Sequence, residues 1–172
     1  MKKWIISDLH LGHNKILEFE PDRLGVTLDS VEEHDQQLEY RWNSRVNPKD
    51  TVYVLGDVAF KAESLKDFGR WNGNKILVRG NHDDKDETLY RDIFSKIFGV
   101  IKINRVWLSH APIHPVELRG CPNIHGHVHS NVVRDHYHQP DPRYRAVCVE
   151  QNQGYPEDFN LVMEEMNDKI NK

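Results

Sequence analysis

Asp8-Leu9-His10, Gly56-Asp57, Gly80-Asn81-His82-Asp83, His110 and Gly126-His127-Val128-His129 are the residues whose types and spacing point to chemistry in this 172-residue chain. Their side chains supply carboxylate, amide and imidazole donors and no thiolate. That mixture suits manganese, iron or zinc better than the all-oxygen cage favoured by magnesium or calcium. Asp8, His10, Asp57, Asn81, His110, His127 and His129 are too many ligands for one tetrahedral ion. Two ions sharing a carboxylate would use them economically. Taken singly the pieces say little, because a Gly-Asp pair is usually a turn and Gly-Asn-His is usually loop. Gly-His-x-His says more, since alternate strand residues face one side. The weight lies in their joint occurrence, each beside a predicted strand.

Those strands are short and apolar. Trp4 to Ser7 reads as a first strand running into Asp8, Thr51 to Leu55 as a second running into Gly56-Asp57, and Lys75 to Val78 as a third leading to Gly80-Asn81-His82. Val100 to Ile103 and Val106 to Ser109 flank Asn104-Arg105 as a hairpin or as two sheet strands, the latter ending at His110. Arg145 to Val149 is a further strand. Helices are predicted between them. Ser30 to Val46 carries a capping-box pattern, Ser30 with Glu33, and an apolar face of Val31, Leu38, Trp42 and Val46. Ala62 to Trp71 reads as a short helix. Asp86 to Phe98 reads as another, with Leu89, Ile93, Phe94 and Ile97 inward. Glu157 to Ile170 closes the chain on a face of Phe159, Val162, Met163, Met166 and Ile170. His136 to Arg143 reads as a surface loop. Strands alternating with helices predict an α/β fold, and in open α/β sheets the carboxyl ends of strands gather ligands along one edge.

Composition narrows the partners. The net charge of −4 and the pI near 6.2 give no electrostatic support for binding long nucleic acid. No stretch approaches a membrane span, and Asp8 interrupts the only apolar run near the start, so a cytoplasmic protein is expected. Cys121 and Cys148 show neither a disulfide framework nor a zinc-ribbon spacing. Eleven histidines are the unusual feature.

In order, DLHLGH, LGD, RGNHD, LSHAP and HGHVH, spanning residues 8–129, resemble the five signature blocks of the calcineurin-like metallophosphoesterase superfamily, in its small, cap-less form. The resemblance implies an α/β fold of four layers, αββα, with two facing mixed β-sheets, as one domain over residues 1–172. The strand reading alone does not separate this from a single doubly wound sheet. The resemblance also implies Asp8, His10 and His129 on one metal, Asn81, His110 and His127 on the other, Asp57 bridging, and His82 beside the attacked phosphorus. Two divalent ions are the implied cofactors, manganese first, with iron, zinc or nickel as alternatives. The implied reaction is hydrolysis of a small phosphodiester or phosphomonoester, nucleotides included, by in-line attack of a hydroxide bridging the two ions. His82 would protonate the leaving oxygen or hydrogen-bond the phosphate.

Departures from the family pattern shape the substrate. Phe60 and Lys61 stand where the protein phosphatase branch keeps the Asp and Arg of its GDxVDRG block. That disfavours a protein phosphatase or a bis-nucleotide tetraphosphate hydrolase, and leaves Asp83 as a candidate to orient His82. A small nuclease acting on nucleic-acid ends is a second reading, which the acidic charge counts against. A non-catalytic interaction module is a third, and the intact ligand set counts against it. His13, Asn14 and His114 are candidates to line the substrate pocket, and His125 to stand behind His127. Arg41 and Arg79 are candidates to grip phosphate. His34, His136 and His138 read as solvent-facing, and Trp42, Trp71 and Trp107 as core.

Overall fold

A computed structural model describes residues 1–170. Three apolar segments, β1 (Lys3–Ile6), β2 (Thr51–Val54) and β3 (Asn74–Val78), lie side by side as parallel strands, Lys3 opposite Thr51 and Thr51 opposite Asn74. A single-turn α1 (Ile16–Phe19) and the long α2 (Val31–Arg45) connect β1 to β2, and α3 (Ala62–Phe68) connects β2 to β3. After β3 come α4 (Glu87–Ile93) and β4 (Lys96–Phe98), which pairs parallel with β3. A second sheet holds β5 (Val100–Ile103), β6 (Val106–Ser109), β7 (Asn123–His125) and β8 (Tyr144–Ala146), followed by α5 (Val149–Asn152). The two-residue β9 (Glu157–Asp158) leads directly into α6 (Phe159–Ile170).

Both sheets are mixed, as the resemblance implies. The first has the order β4-β3-β2-β1-β9 with β9 antiparallel to β1, and the second the order β5-β6-β7-β8 with β5 antiparallel to β6. The β5–β6 turn, Asn104-Arg105, has both residues at positive φ (49° and 67°), the backbone a tight hairpin needs.

The first sheet is covered on both faces, so its strands read as unbroken apolar runs. Alternation decides which core each side chain enters. Trp4, Ile6, Val52, Val54 and Leu77 enter one core with Leu38 and Trp42 of α2, Leu65 and Phe68 of α3, and Tyr90 of α4. Ile5, Tyr53, Leu55, Ile76 and Val78 enter the other, with Val106, Leu108 and Ile124 of the second sheet and Phe159, Val162, Met163 and Met166 of α6. On the far side of the second sheet lies a 3-10 turn, Pro115–Leu118, whose Leu118 carbonyl accepts the Trp107 indole N–H at 3.3 Å. Ser7 joins the two sheets: its N–H donates to the Val147 carbonyl (2.9 Å) and its hydroxyl to the Leu55 carbonyl (2.7 Å).

The Ser30 cap is present, its side chain accepting from the Glu33 N–H at 3.1 Å, while the Glu33 carboxylate reaches Asp29 N–H at 2.9 Å. Four expectations need correction. The helix predicted over Asp86–Phe98 ends at Ile93, because Lys96–Phe98 pairs with the open edge of β3 and the Ser95 N–H donates to the Lys75 carbonyl at 2.9 Å. The terminal helix starts at Phe159, since Glu157 and Asp158 pair with Ile5 and Trp4. The strand predicted over Arg145–Val149 is Tyr144–Ala146, and Val149 opens a helix instead. The helix predicted to Trp71 ends at Phe68, with Trp71 still buried against it, ring centroids 5.0 Å apart. The side chain of Ile170 lies outside the described residues. Among the described residues no helix is long and apolar enough to cross a membrane, and Cys121 and Cys148 are free and buried.

Candidate metal centre

Every one of the seven donors follows a strand. Asp8 and His10 lie after β1, Asp57 after β2, Asn81 after β3, His110 directly after β6, and His127 and His129 after β7. Backbone pairing continues past the strand ends and holds these loops together. Asp8 N–H donates to the Gly56 carbonyl (3.1 Å), His10 N–H to Asp57 (3.0 Å), and Gly126 N–H to His110 (2.8 Å). Side chains tie the loops further: the Asp8 carboxylate accepts from His127 N–H (2.9 Å) across the two sheets, and the Asp57 carboxylate from His82 N–H (2.9 Å) within the first.

The backbone here is strained. Asp8 (φ 61°), His10 (51°), Asp57 (53°), His127 (72°) and His129 (53°) all lie in the left-handed region, which L side chains adopt reluctantly. Strain of about 1–3 kcal/mol per residue persists only where surrounding structure imposes it, and it concentrates at functional sites. Asp83 supplies much of the constraint. Its buried carboxylate accepts from the N–H groups of Asp57 (2.9 Å), Val58 (3.0 Å) and Gly80 (2.8 Å). Asp83 therefore does not orient His82, contrary to expectation, since both its oxygens are taken by backbone. Burial pushes its carboxyl upward despite those bonds.

The donors form two overlapping groups. Ligand atoms of Asp8, His10 and His129 lie within 4.8 Å of one another, as do those of Asp8, Asp57 and His110. His10 Nε2 stands 3.7 Å from Asp8 Oδ1 and 3.6 Å from Asp57 Oδ2, and His129 Nε2 stands 4.0 Å from Asp8 Oδ1. On the other side His110 Nε2 lies 3.5 Å from Asp57 Oδ2, 2.9 Å from Asn81 Oδ1 and 3.2 Å from His127 Nδ1. Asp8 is common to both groups, and Asp57 Oδ2 stands between His10 and His110.

This donor set fits divalent cations. Asp8 Oδ1 and both ring nitrogens of His10 are buried with no hydrogen-bond partner, a costly arrangement unless something else satisfies them. Donors about 2.1 Å from a shared ion stand roughly 3–3.5 Å apart, close to the spacings here. His110 Nδ1 lies 2.8 Å from the Leu55 carbonyl, which turns Nε2 to within 2.9 Å of Asn81 Oδ1. Burial opposes ionisation of Asp8, but His10, His110, Ser7 and His129 outweigh it and hold its carboxyl well below the usual range.

Two residues escaped sequence reasoning. His129 Nδ1 donates to Glu150 Oε1 at 3.0 Å, which turns Nε2 toward Asp8. Burial lowers the His129 imidazole, yet the Glu150 bond and charge prevail and raise it. Arg23, almost fully buried, pairs with Glu150 at 3.2 Å and donates to the Asp8 carbonyl. Neither residue belongs to a motif or an apolar period, so only their shared buried charge, visible after folding, marks them.

Other candidates are placed unevenly. His82 lies exposed at the mouth, its ring 5.9 Å from His10 and 4.7 Å from Phe60. His13 stacks flat on Phe60, and Asn14 accepts from Lys61 Nζ at 2.9 Å. His114 is exposed and caps the Pro115–Leu118 turn, its ring accepting from the Val116 N–H at 3.4 Å. His125 is buried, donating from Nδ1 to the Gly126 carbonyl at 2.8 Å, and burial lowers its imidazole to about 4. Arg41 is buried and bonded to the Leu24 and Gln153 carbonyls, and Arg79 pairs with Glu87. His34, expected in solvent, is fully buried beside Asp35, whose carboxylate accepts from Gly12 N–H in the first metal loop at 2.8 Å. Trp42 and Trp71 are core, as expected, and Trp107 is half-buried.

The chain matches the calcineurin-like phosphoesterase family over residues 1–164. An uncharacterised protein of Methanocaldococcus jannaschii is 32% identical over 158 residues, 86% of this chain and 80% of that protein. The gene 66 protein of Mycobacterium phage D29 is 30% identical over 167 residues, covering 76% of this chain and 80% of its own. A solved structure of a protein of unknown function from Aquifex aeolicus superposes with a TM-score of 0.70 at 25% identity, over 95% of this chain and 98% of that one. The likeness to an archaeal phosphodiesterase, at a TM-score of 0.45 and 20% identity, is too remote to assign a substrate.

Proposed function

The chain belongs to the calcineurin-like phosphoesterase family, and from that premise we propose that it hydrolyses small phosphodiesters or phosphomonoesters with two divalent metal ions, manganese being the expected metal. Asp8, His10 and His129 would hold one ion and Asn81, His110 and His127 the other, with Asp57 between them. The observation that carries this reading is the buried, partnerless state of Asp8 Oδ1 and the His10 ring nitrogens within ligand spacing of the other donors. When bound, the ions would acidify water and offset charge building on the phosphoryl oxygens.

The chain's own groups do the rest. The Asp57 carboxylate, locked by the His82 N–H on Oδ1, keeps Oδ2 toward both His10 and His110. Glu150 fixes the His129 tautomer so that Nε2 offers its lone pair. His82, exposed at the rim, would donate a proton or hydrogen bond to the leaving oxygen. The net charge of −4 favours a small substrate over a long polyanion, and a cytoplasmic setting goes with this reading.

Purified protein supplied with manganese(II) is expected to hydrolyse bis(p-nitrophenyl) phosphate. Asp57→Asn is expected to lose roughly a hundredfold or more of that turnover, the scale of deleting one transition-state contact. Equal turnover by the two proteins would contradict the assignment.

A further inference from the structure

A continuous run of aromatic rings leads outward from the centre. From His82 at the mouth, contacts pass to Phe60 (centroids 4.7 Å apart), from Phe60 to His13 (3.9 Å, planes 10° apart) and from His13 to Phe19 (6.0 Å). His10, a candidate ligand, touches Phe60 at 5.3 Å and His13 at 5.7 Å, so the run begins at the metal centre itself. Apart from the closer, nearly parallel His13–Phe60 pair, these separations lie within the range of favourable ring pairs. The four rings come from separate parts of the chain: α1 carries Phe19, the loop after β1 carries His13, and the loops after β2 and β3 carry Phe60 and His82. Phe19 belongs to neither core cluster and is 65% exposed. A single exposed apolar residue needs no explanation. One that extends a ring stack out of a candidate phosphoester site is a different matter. Lys61, beside Phe60, and Asn14, beside His13, add a polar edge through their 2.9 Å hydrogen bond.

We propose that Phe19, His13 and Phe60 form a stacking platform for a planar aromatic group on the substrate. The substrate class is then a phosphoester carrying a nucleobase or an equivalent ring, with phosphate at the donors and the ring along the wall. Phe60, at the place where a related branch keeps an aspartate, is the residue that turns this side of the site from charged to aromatic. The inference rests on the phosphoesterase reading for where the phosphate sits.

The test is a calorimetric comparison of adenosine 5′-monophosphate with ribose 5-phosphate, both titrated into protein supplied with manganese(II). The base-bearing ligand is expected to bind roughly fivefold tighter or more, the low end of one base–aromatic stack. Phe19→Ala and Phe60→Leu are expected to bring that ratio toward one, and Phe19→Trp to keep it. Tyr137→Ala, which removes an exposed ring elsewhere, is expected to leave it unchanged. Equal affinities, no binding of either ligand, or a ratio that survives both Phe19→Ala and Phe60→Leu would overturn the platform. A preserved ratio in a protein inert toward every phosphoester would remove the proposed reaction and leave the platform standing.

Discussion

Glu150 shows what a residue contributes without touching substrate. Its carboxylate accepts a hydrogen bond from His129 Nδ1–H at 3.0 Å and pairs with the Arg23 guanidinium at 3.2 Å, and so decides which nitrogen of His129 is free. Partners of this kind typically govern metal affinity by about ten- to a hundredfold. Glu150→Gln is therefore expected to weaken manganese binding by roughly that factor in a calorimetric titration, and unchanged affinity would refute its orienting role. The gathering of the seven candidate donors was legible in the sequence because each sits beside a recognisable strand end in a short block. Glu150 and Arg23 were not, because what joins them is a ring nitrogen and a backbone carbonyl supplied by distant loops. His34 was misplaced for a related reason: its neighbours Glu33 and Asp35 suggest a solvated face, yet its own ring is buried beside Asp35, which holds the loop after β1 through Gly12 N–H.

At the scale of elements, short strands fix where the loops begin and close packing fixes how they turn. Gly126 lies where the loop after β7 passes β1, and a Cβ there would overlap the Ser7 hydroxyl and the Asp8 carboxylate. Gly126→Ala is expected to cost about 1–3 kcal/mol, as overpacking does, and to displace Asp8 from its partners. Urea unfolding of the metal-free protein would show a lower midpoint, and an unchanged midpoint would argue that the approach is looser. The misread element is equally instructive. Leu89, Ile93, Phe94 and Ile97 carry a helical period, so the sequence alone extends a helix across them. The open edge of β3 captures Lys96–Phe98 instead, and Phe94 is left buried against Phe68. Local period and sheet edge compete there, and pairing wins.

Across the whole molecule, two mixed sheets meet along the edge where Ser7 bonds to both, and this junction brings donors more than a hundred positions apart within a few ångströms. The two-sheet arrangement was legible only through the signature blocks, because short buried strands look alike whichever sheet they join. The fold also has a pH signature, on α2. Burial holds the His34 imidazole below its ordinary 6.5, although Asp35 pulls it upward. Below that pH the unfolded chain takes a proton that the native state refuses, so stability falls as pH drops from 6.5 toward the lowered native value. Urea unfolding between pH 7 and pH 5 is expected to show a smaller loss in His34→Leu than in the wild type, and equal losses would exclude the effect. The central claim, that seven side chains gather two cations about Asp57, is tested most directly by anomalous diffraction from crystals grown with manganese(II). The account predicts two peaks about 3.5–4 Å apart, one against Asp8, His10 and His129 and one against Asn81, His110 and His127. A single peak, or peaks away from these residues, would contradict it.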